Sequence, residues 1–169
     1  ADAPSPAFPA TGPLAEFRAR ADVLSRPSSE EDAGRPWVLA SGTRVIKVYN
    51  LAAFDPLDQR QMLAEADAAR AVSDVRNVVT TYRTGTIGGW LVIEMQRLGD
   101  SLADYLDANA VELRAPISPQ RWGEHFEQVA AGLDEIHSRG LTHHDIKPAN
   151  LMFDRDQQRI VIADFSIAA

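Results

Sequence analysis

The stretch from His143 to Phe153 reads HHDIKPANLMF, and IADFS at 162–166 follows it, which sets Asp164 fourteen residues after Asn150. Asp145, Lys147 and Asn150 fall between the helix end expected at Gly140 and the strand expected from Leu151, and so on a loop. Leu151 to Phe153 and Arg159 to Phe165 are short, mainly apolar runs around the polar segment DRDQQ, the pattern of two strands joined by a turn. Asp164 then falls at the end of the second strand. His143, His144 and Asp145 are residue types that ligate metals, but adjacent histidines in a loop lack the i, i+4 facing of a helical zinc site. A zinc reading is set aside on that ground.

Working upstream, Ser118-Pro119 opens a helix whose apolar stripe is Trp122, Phe126, Val129, Leu133 and Ile136, all expected in the core, and Gly140 ends it. SLADYLDAN, after Gly99, reads as a short helix capped by Ser101. NVVTTYRT at 77–84 and WLVIEM at 90–95 flank Gly88-Gly89 and predict a hairpin, as do WVLA at 37–40 and RVIKVY at 44–49 around Ser41-Gly42-Thr43. Pro56 starts a helix over about 56 to 73. Residues 14 to 24 show no clear period, SRPSSEEDAG at 25–34 is a polar loop, and the proline-rich residues 1–13 are expected to be a flexible leader. Strands, helix, strands, helices and a last hairpin make an α+β layout.

Composition narrows the function. Seventeen Lys and Arg against 24 Asp and Glu leave a formal charge of −7, which argues against non-specific nucleic-acid binding. The absence of cysteine removes disulfides, thiolate nucleophiles and Cys-ligated zinc. No apolar run is long enough to span a bilayer, so no membrane partner is expected. The first residues, ADAPSPAFPATGP, do not read as an intact signal peptide, and a cytoplasmic location, or delivery into a host cell, is expected.

Asp145, Lys147, Asn150 and Asp164, taken with Lys47 in VIKVY and Glu65 in LAEADAARAV, resemble the signature set of the protein kinase superfamily, of serine/threonine type. The resemblance covers about residues 37 to 169. It implies a lobe with an antiparallel sheet and one helix over 14–98, and a partial, mainly helical lobe with the catalytic loop over 99–169. It implies ATP and Mg2+ as cofactors. Lys47 would hold the α- and β-phosphates and Glu65 would pair with it. WLVIEMQRLG would supply the adenine-binding hinge, with Ile93 as gatekeeper and the backbone C=O of Glu94 and N–H of Gln96 facing the base. Asp145 would be the catalytic base, Lys147 would steady the transferred phosphoryl, and Asn150 and Asp164 would ligate magnesium. His143 is taken as structural, with no part in proton transfer.

The chemistry agrees with these residue types. Phosphoryl transfer needs cations at the phosphates, hard oxygen ligands for magnesium and a carboxylate facing the nucleophile. Lys147-Pro148 favours a protein serine or threonine as acceptor over a small molecule of the aminoglycoside type. Four features depart from the family pattern. The segment expected to be Gly-rich carries Glu30, Glu31 and Asp32 and one glycine, which predicts weak phosphate clamping. His144 stands for the usual arginine, so control by a phosphorylated loop is not expected. Ser166 replaces the glycine after Asp164-Phe165. The sequence stops at Ala169, which suggests a reduced or truncated member, in which either an unusually compact lobe or another chain covers Trp122, Phe126 and Leu133. Compact bacterial effector kinases acting on a host protein are the nearest precedent. The competing reading is a catalytically weak pseudokinase that serves as a protein-binding module.

Overall fold

The computed structural model describes residues 8–29, 32–107, 117–154 and 159–164. The chain divides into two compact units, residues 1–70 with 81–97 and residues 71–80 with 98–169.

The first unit is built on a five-stranded antiparallel sheet in the order β1-β2-β3-β5-β4. Its strands are β1 (Asp22–Ser25), β2 (Trp37–Ser41), β3 (Arg44–Asn50), β4 (Thr81–Ile87) and β5 (Trp90–Gln96). The turn joining β2 to β3 needs left-handed backbone, which Gly42 supplies at φ 57°. The helix α2 (Pro56–Ala71) begins where expected, and the Asp55 carboxylate accepts from the N–H groups of Leu57 at 2.8 Å and Asp58 at 2.9 Å. That cap satisfies two of the orphan N–H donors of the first turn, and Pro56 at the first position has none to satisfy.

Alternation along the strands gives the sheet two apolar faces. One packs Tyr49, Leu91 and Ile93 against Ala66, Met62 and Leu63 of α2. The other packs Trp37, Leu39 and Val48 against Phe8 and Leu14. The flexible leader expected over residues 1–13 therefore needs correction from residue 8 on. Phe8 is only 5 % exposed and Pro13 opens α1 (Pro13–Arg18). A single aromatic ring buried on a sheet face stabilises by about 1.5–3 kcal/mol, enough to fix a short segment that composition alone leaves loose. Residues 1–7 lie outside the described residues.

The second unit contains α3 (Leu102–Leu106), α4 (Pro119–Ser138) and a hairpin of β6 (Leu151–Phe153) with β7 (Ile160–Ile162). Ser101 caps α3 in a reciprocal box with Asp104, and Ser118 caps α4. Val72, Val75 and Val78 lie in the same core as Leu102, Val129, Ile136, Phe153 and Ile162. Asn77–Thr80, expected as the start of a strand, is accordingly not part of β4. Its backbone pairs with β7 instead: Ile162 donates to the Asn77 carbonyl at 2.9 Å and Val79 to the Ile162 carbonyl at 2.8 Å. Two valines want burial, but tertiary context chooses the partner.

The stripe on α4 also needs correction. His125, Val129, Gly132 and Ile136 are its buried residues, Trp122 and Leu133 are partly covered, and Phe126 is 57 % exposed and stacked on Trp122. The helix is turned so that Gly132 meets β7 and the 77–79 segment. A Cβ at residue 132 would lie 2.9 Å from Ile162 Cδ1 and 3.2 Å from the Asn77 carbonyl oxygen. Gly132→Val is therefore expected to destabilise by about 2–3 kcal/mol in urea unfolding, from overpacking. Gly132→Ala is expected to cost less, because the gain of about 1 kcal/mol in helix propensity offsets part of the clash. Parental stability of the valine variant would contradict the close approach.

Candidate active site

In the second unit the loop begins after α4, where Gly140 at φ 73° turns the chain and its N–H donates to His137. His143 follows and is buried. Its Nε2 lies 3.0 Å from the Ala163 carbonyl, while Nδ1 lies 3.3 Å from the Asp145 N–H. A carbonyl can only accept and an amide can only donate, so these partners select the neutral tautomer with the proton on Nε2. Burial pushes the pKa of His143 down, against smaller opposing effects from the Ala163 hydrogen bond, Asp145 and Asp164. His144 comes next in left-handed backbone, φ 59°, with its side chain exposed.

Asp145 sits between two donors. Lys147 Nζ is 2.7 Å from its Oδ2, and Asn150 Nδ2 donates to the same oxygen and to the Asp145 carbonyl, both at 2.8 Å. The Lys147 ammonium, then the Asn150 amide, hold the Asp145 carboxyl below the usual carboxylate range. Asp145 is thus ionised at neutral pH and can accept a proton or a hydrogen bond from an approaching hydroxyl.

Pro148 fixes Lys147 in extended backbone (φ −152°, ψ 161°) and opens the single 3₁₀ turn that ends at buried Asn150. Asn150 then joins the loop to the end of the hairpin, its carbonyl accepting from Ala163 N–H at 2.8 Å. Asp164, the next residue, is exposed in left-handed backbone at φ 52°. Local hydrogen bonding thus brings Asp145, Lys147, Asn150 and Asp164 to one end of the β6–β7 hairpin. Both amide hydrogen bonds of Asn150 use its nitrogen, which directs its oxygen elsewhere. An amide oxygen and a carboxylate are hard donors, and this donor set fits magnesium. Among the described residues no group of three or more His, Cys, Asp and Glu side chains could hold a metal ion. Phe165 and Ser166 lie outside the described residues.

In the first unit Lys47 is registered with Val38 on β2 and Ile93 on β5. Two residues from Tyr49 on the same strand, it belongs to the sheet face that carries α2. Glu65 is on α2, half-buried. The contact described for its carboxylate is with Gln61 Nε2 at 3.0 Å, one turn earlier, and not with Lys47. Ile93 packs in the cluster with α2. Glu94 has a strand on either side, registered with Ile46 and Arg83, and its carboxylate takes Arg44 Nη1 at 2.7 Å. Gln96 pairs only with Arg44 on β3. Because Arg97 N–H donates to Thr43 at 2.9 Å, the Arg44–Gln96 pair is a non-hydrogen-bonded one, and the backbone of Gln96 faces away from β3. Of the acidic loop, Asp32 is held by Ser28 and by Arg35 Nε at 3.2 Å, and Glu30 and Glu31 lie outside the described residues.

Sequence reading missed the two carbonyls, of Ala163 and Asn150, that lock the loop to the hairpin. Main-chain acceptors carry no residue signature. It also missed Arg44, whose guanidinium lies 3.7 Å over the Tyr82 ring as well as on Glu94, because an arginine at a strand start reads as solvated.

Neutral His143 gives a testable pH dependence. Its folded pKa lies below the ordinary value of 6.5, so the unfolded chain binds the extra proton. The stability it supports is full above about pH 6.5 and is lost as pH falls below that value. Thermal unfolding between pH 8 and pH 5 should show a smaller fall for His143→Gln than for the parent, and identical slopes would remove His143 as the cause.

A five-stranded antiparallel sheet with one packed helix, and a helical unit presenting Asp-x-Lys-Pro-x-Asn before a hairpin followed by Asp164, define a protein kinase domain. The chain belongs to the protein kinase family, whose domain model matches residues 40–169. It is 31% identical over 116 residues to the serine/threonine-protein kinase PknH of Mycobacterium tuberculosis, covering 68% of this chain and 17% of that protein. Similarity to PknE of the same organism is also 31% over 116 residues, covering 68% of this chain and 19% of the relative. PknJ, again from M. tuberculosis, is 34% identical over 112 residues, 64% of this chain and 18% of its own length. The chain thus spans less than a fifth of the length of these relatives.

Proposed function

We propose that this kinase domain binds ATP with magnesium and transfers the γ-phosphoryl group to a serine or threonine hydroxyl of a protein. The observation that carries the proposal is the Asp145 carboxylate, kept ionised between Lys147 and Asn150, in a loop hydrogen-bonded to the residue before Asp164. Asp145 orients the acceptor hydroxyl and takes its proton as the oxygen attacks the γ-phosphorus and the bond to the bridging oxygen breaks. Lys147 leaves Asp145 to meet the transferred phosphoryl, an exchange between two anionic partners at a solvent-exposed site, where water screens the ion pair. Asn150, through its amide oxygen, and Asp164 hold the magnesium, which when bound neutralises the charge on the phosphates. Lys47 holds the α- and β-phosphates, Glu65 turns from Gln61 to pair with it, and the backbone of Glu94 and Gln96 takes the adenine. Three mycobacterial relatives named as serine/threonine-protein kinases support a protein acceptor.

A second reading, a nucleotide-poor pseudokinase serving as a binding module, is favoured by one observation: Asp32 in the connection between β1 and β2 places a carboxylate where phosphates are clamped in the family. Incubation with γ-labelled ATP, magnesium and candidate protein substrates tests the first reading. A parallel thermal-shift assay separates the two. Ligand at 100 times its Kd stabilises by about 2.7 kcal/mol, so ATP-Mg should raise the Tm and label should appear on protein. A flat Tm with no label supports the nucleotide-poor pseudokinase, and a raised Tm with label on protein removes it.

A further inference from the structure

Among the described residues, the face of the sheet opposite α2 is covered by the segment from Phe8 to Arg18 and the turn that follows it. Phe8 sits edge-on to Trp37 at 5.0 Å and tilted to Trp90 at 5.9 Å. Arg18 lays its guanidinium 5.3 Å from the Phe8 ring and 4.7 Å from Trp37, and Leu14 is the second buried anchor. The backbone hydrogen bonds described for this segment close its own helix, Glu16 to Gly12 and Ala19 to Ala15. Among the described residues none joins it to a strand.

An open cleft of about 190 Å3 lined by Pro9, Thr11, Pro13, Ile87 and Trp90 runs beside the segment, and among the described residues the buried indole N–H of Trp37 has no acceptor. Between the two anchors Gly12 turns at φ 86° with no atom near the position of a Cβ, a point about which the chain can swing. A cover held by side chains alone can leave while the strand ladder beneath stays paired.

We propose that this face of the sheet is a docking surface for a short peptide with an aromatic anchor, a leucine six residues on and an arginine four further, and that Phe8–Arg18 is its resident ligand in cis. The same sequence supplied in trans exchanges with it once the cis segment is weakened. Against the intact segment a free peptide competes poorly, because the tether gives the cis copy an effective concentration on the order of millimolar.

The test uses the full chain with Trp122→Phe, which leaves Trp37 and Trp90 as its tryptophans. Adding Phe8→Ala should raise acrylamide quenching severalfold while amide protection of β2, β3 and β5 persists. A synthetic peptide of residues 5–21 should return quenching to the parental level, and the same peptide with alanine for Phe8 should not. Phe8→Leu, which keeps apolar bulk, should give intermediate quenching that the peptide also lowers. Failure of the peptide to restore shielding in either variant overturns the proposal. So does loss of sheet protection in both variants, which would make the segment an integral part of the core.

Discussion

Asp145→Asn is expected to slow phosphate transfer by about 10²–10⁴-fold, the range over which a positioned general base contributes. Asparagine nearly matches aspartate in shape and can still accept from Asn150, so the loop should keep its course. What is lost is the proton acceptor and the charge that Lys147 meets at 2.7 Å. The ATP-Mg thermal shift should be close to parental, since the proposed nucleotide contacts come from Lys47, the backbone of Glu94 and Gln96, and magnesium held by Asn150 and Asp164. Asp164→Ala should behave differently, abolishing transfer and the magnesium-dependent part of that shift together. Single-turnover transfer at the parental rate by the Asp145→Asn variant would remove the base from this loop.

Phe153→Ala carries the second large effect, on stability. Phe153 is 1 % exposed, and its ring meets Tyr105 at 5.6 Å and His125 at 5.5 Å. Its backbone is fixed independently, donating to Asp100 at 2.9 Å and accepting from Gly99 at 2.8 Å, so the site cannot collapse easily onto a cavity. A loss of about 3–5 kcal/mol is expected. For a chain of this length that corresponds to a Tm lowered by roughly 6–20 °C. A urea-unfolding loss below about 1 kcal/mol would mean that the core around β6 repacks freely.

Most of the architecture was legible because local signals agreed with burial. Pro56, Ser101 and Ser118 mark helix starts that the caps bear out, and Gly42 and Gly88 mark hairpins. β1 was not legible: all four of its residues are exposed, so no alternation betrays a buried face. Val78 and Val79 gave the right signal for burial but none for the partner. On α4, Val129 and Ile136 are buried as read, whereas Phe126 and Leu133 stand one position beyond the buried His125 and Gly132, which do not count as apolar. At the site, Asp145, Lys147 and Asn150 were grouped through their resemblance to the kinase signature, and the short spacing before β6 puts them on one loop. The contact that Glu65 makes with Gln61 could not, since one carboxylate on a helix has several neighbours within reach.

Ala71, the last residue of α2, and the nine residues between it and β4 belong to the second unit although the chain on both sides belongs to the first. No single cut in the gene therefore yields either half whole. A fragment starting at residue 98 would lack Val72, Val75 and Val78 and leave the edge of β7 without the Asn77 and Val79 amide partners, while the complementary fragment would carry those valines into water. During synthesis the first half must hold this apolar loop unsatisfied until residue 162 has emerged, so the two halves mature together rather than in turn.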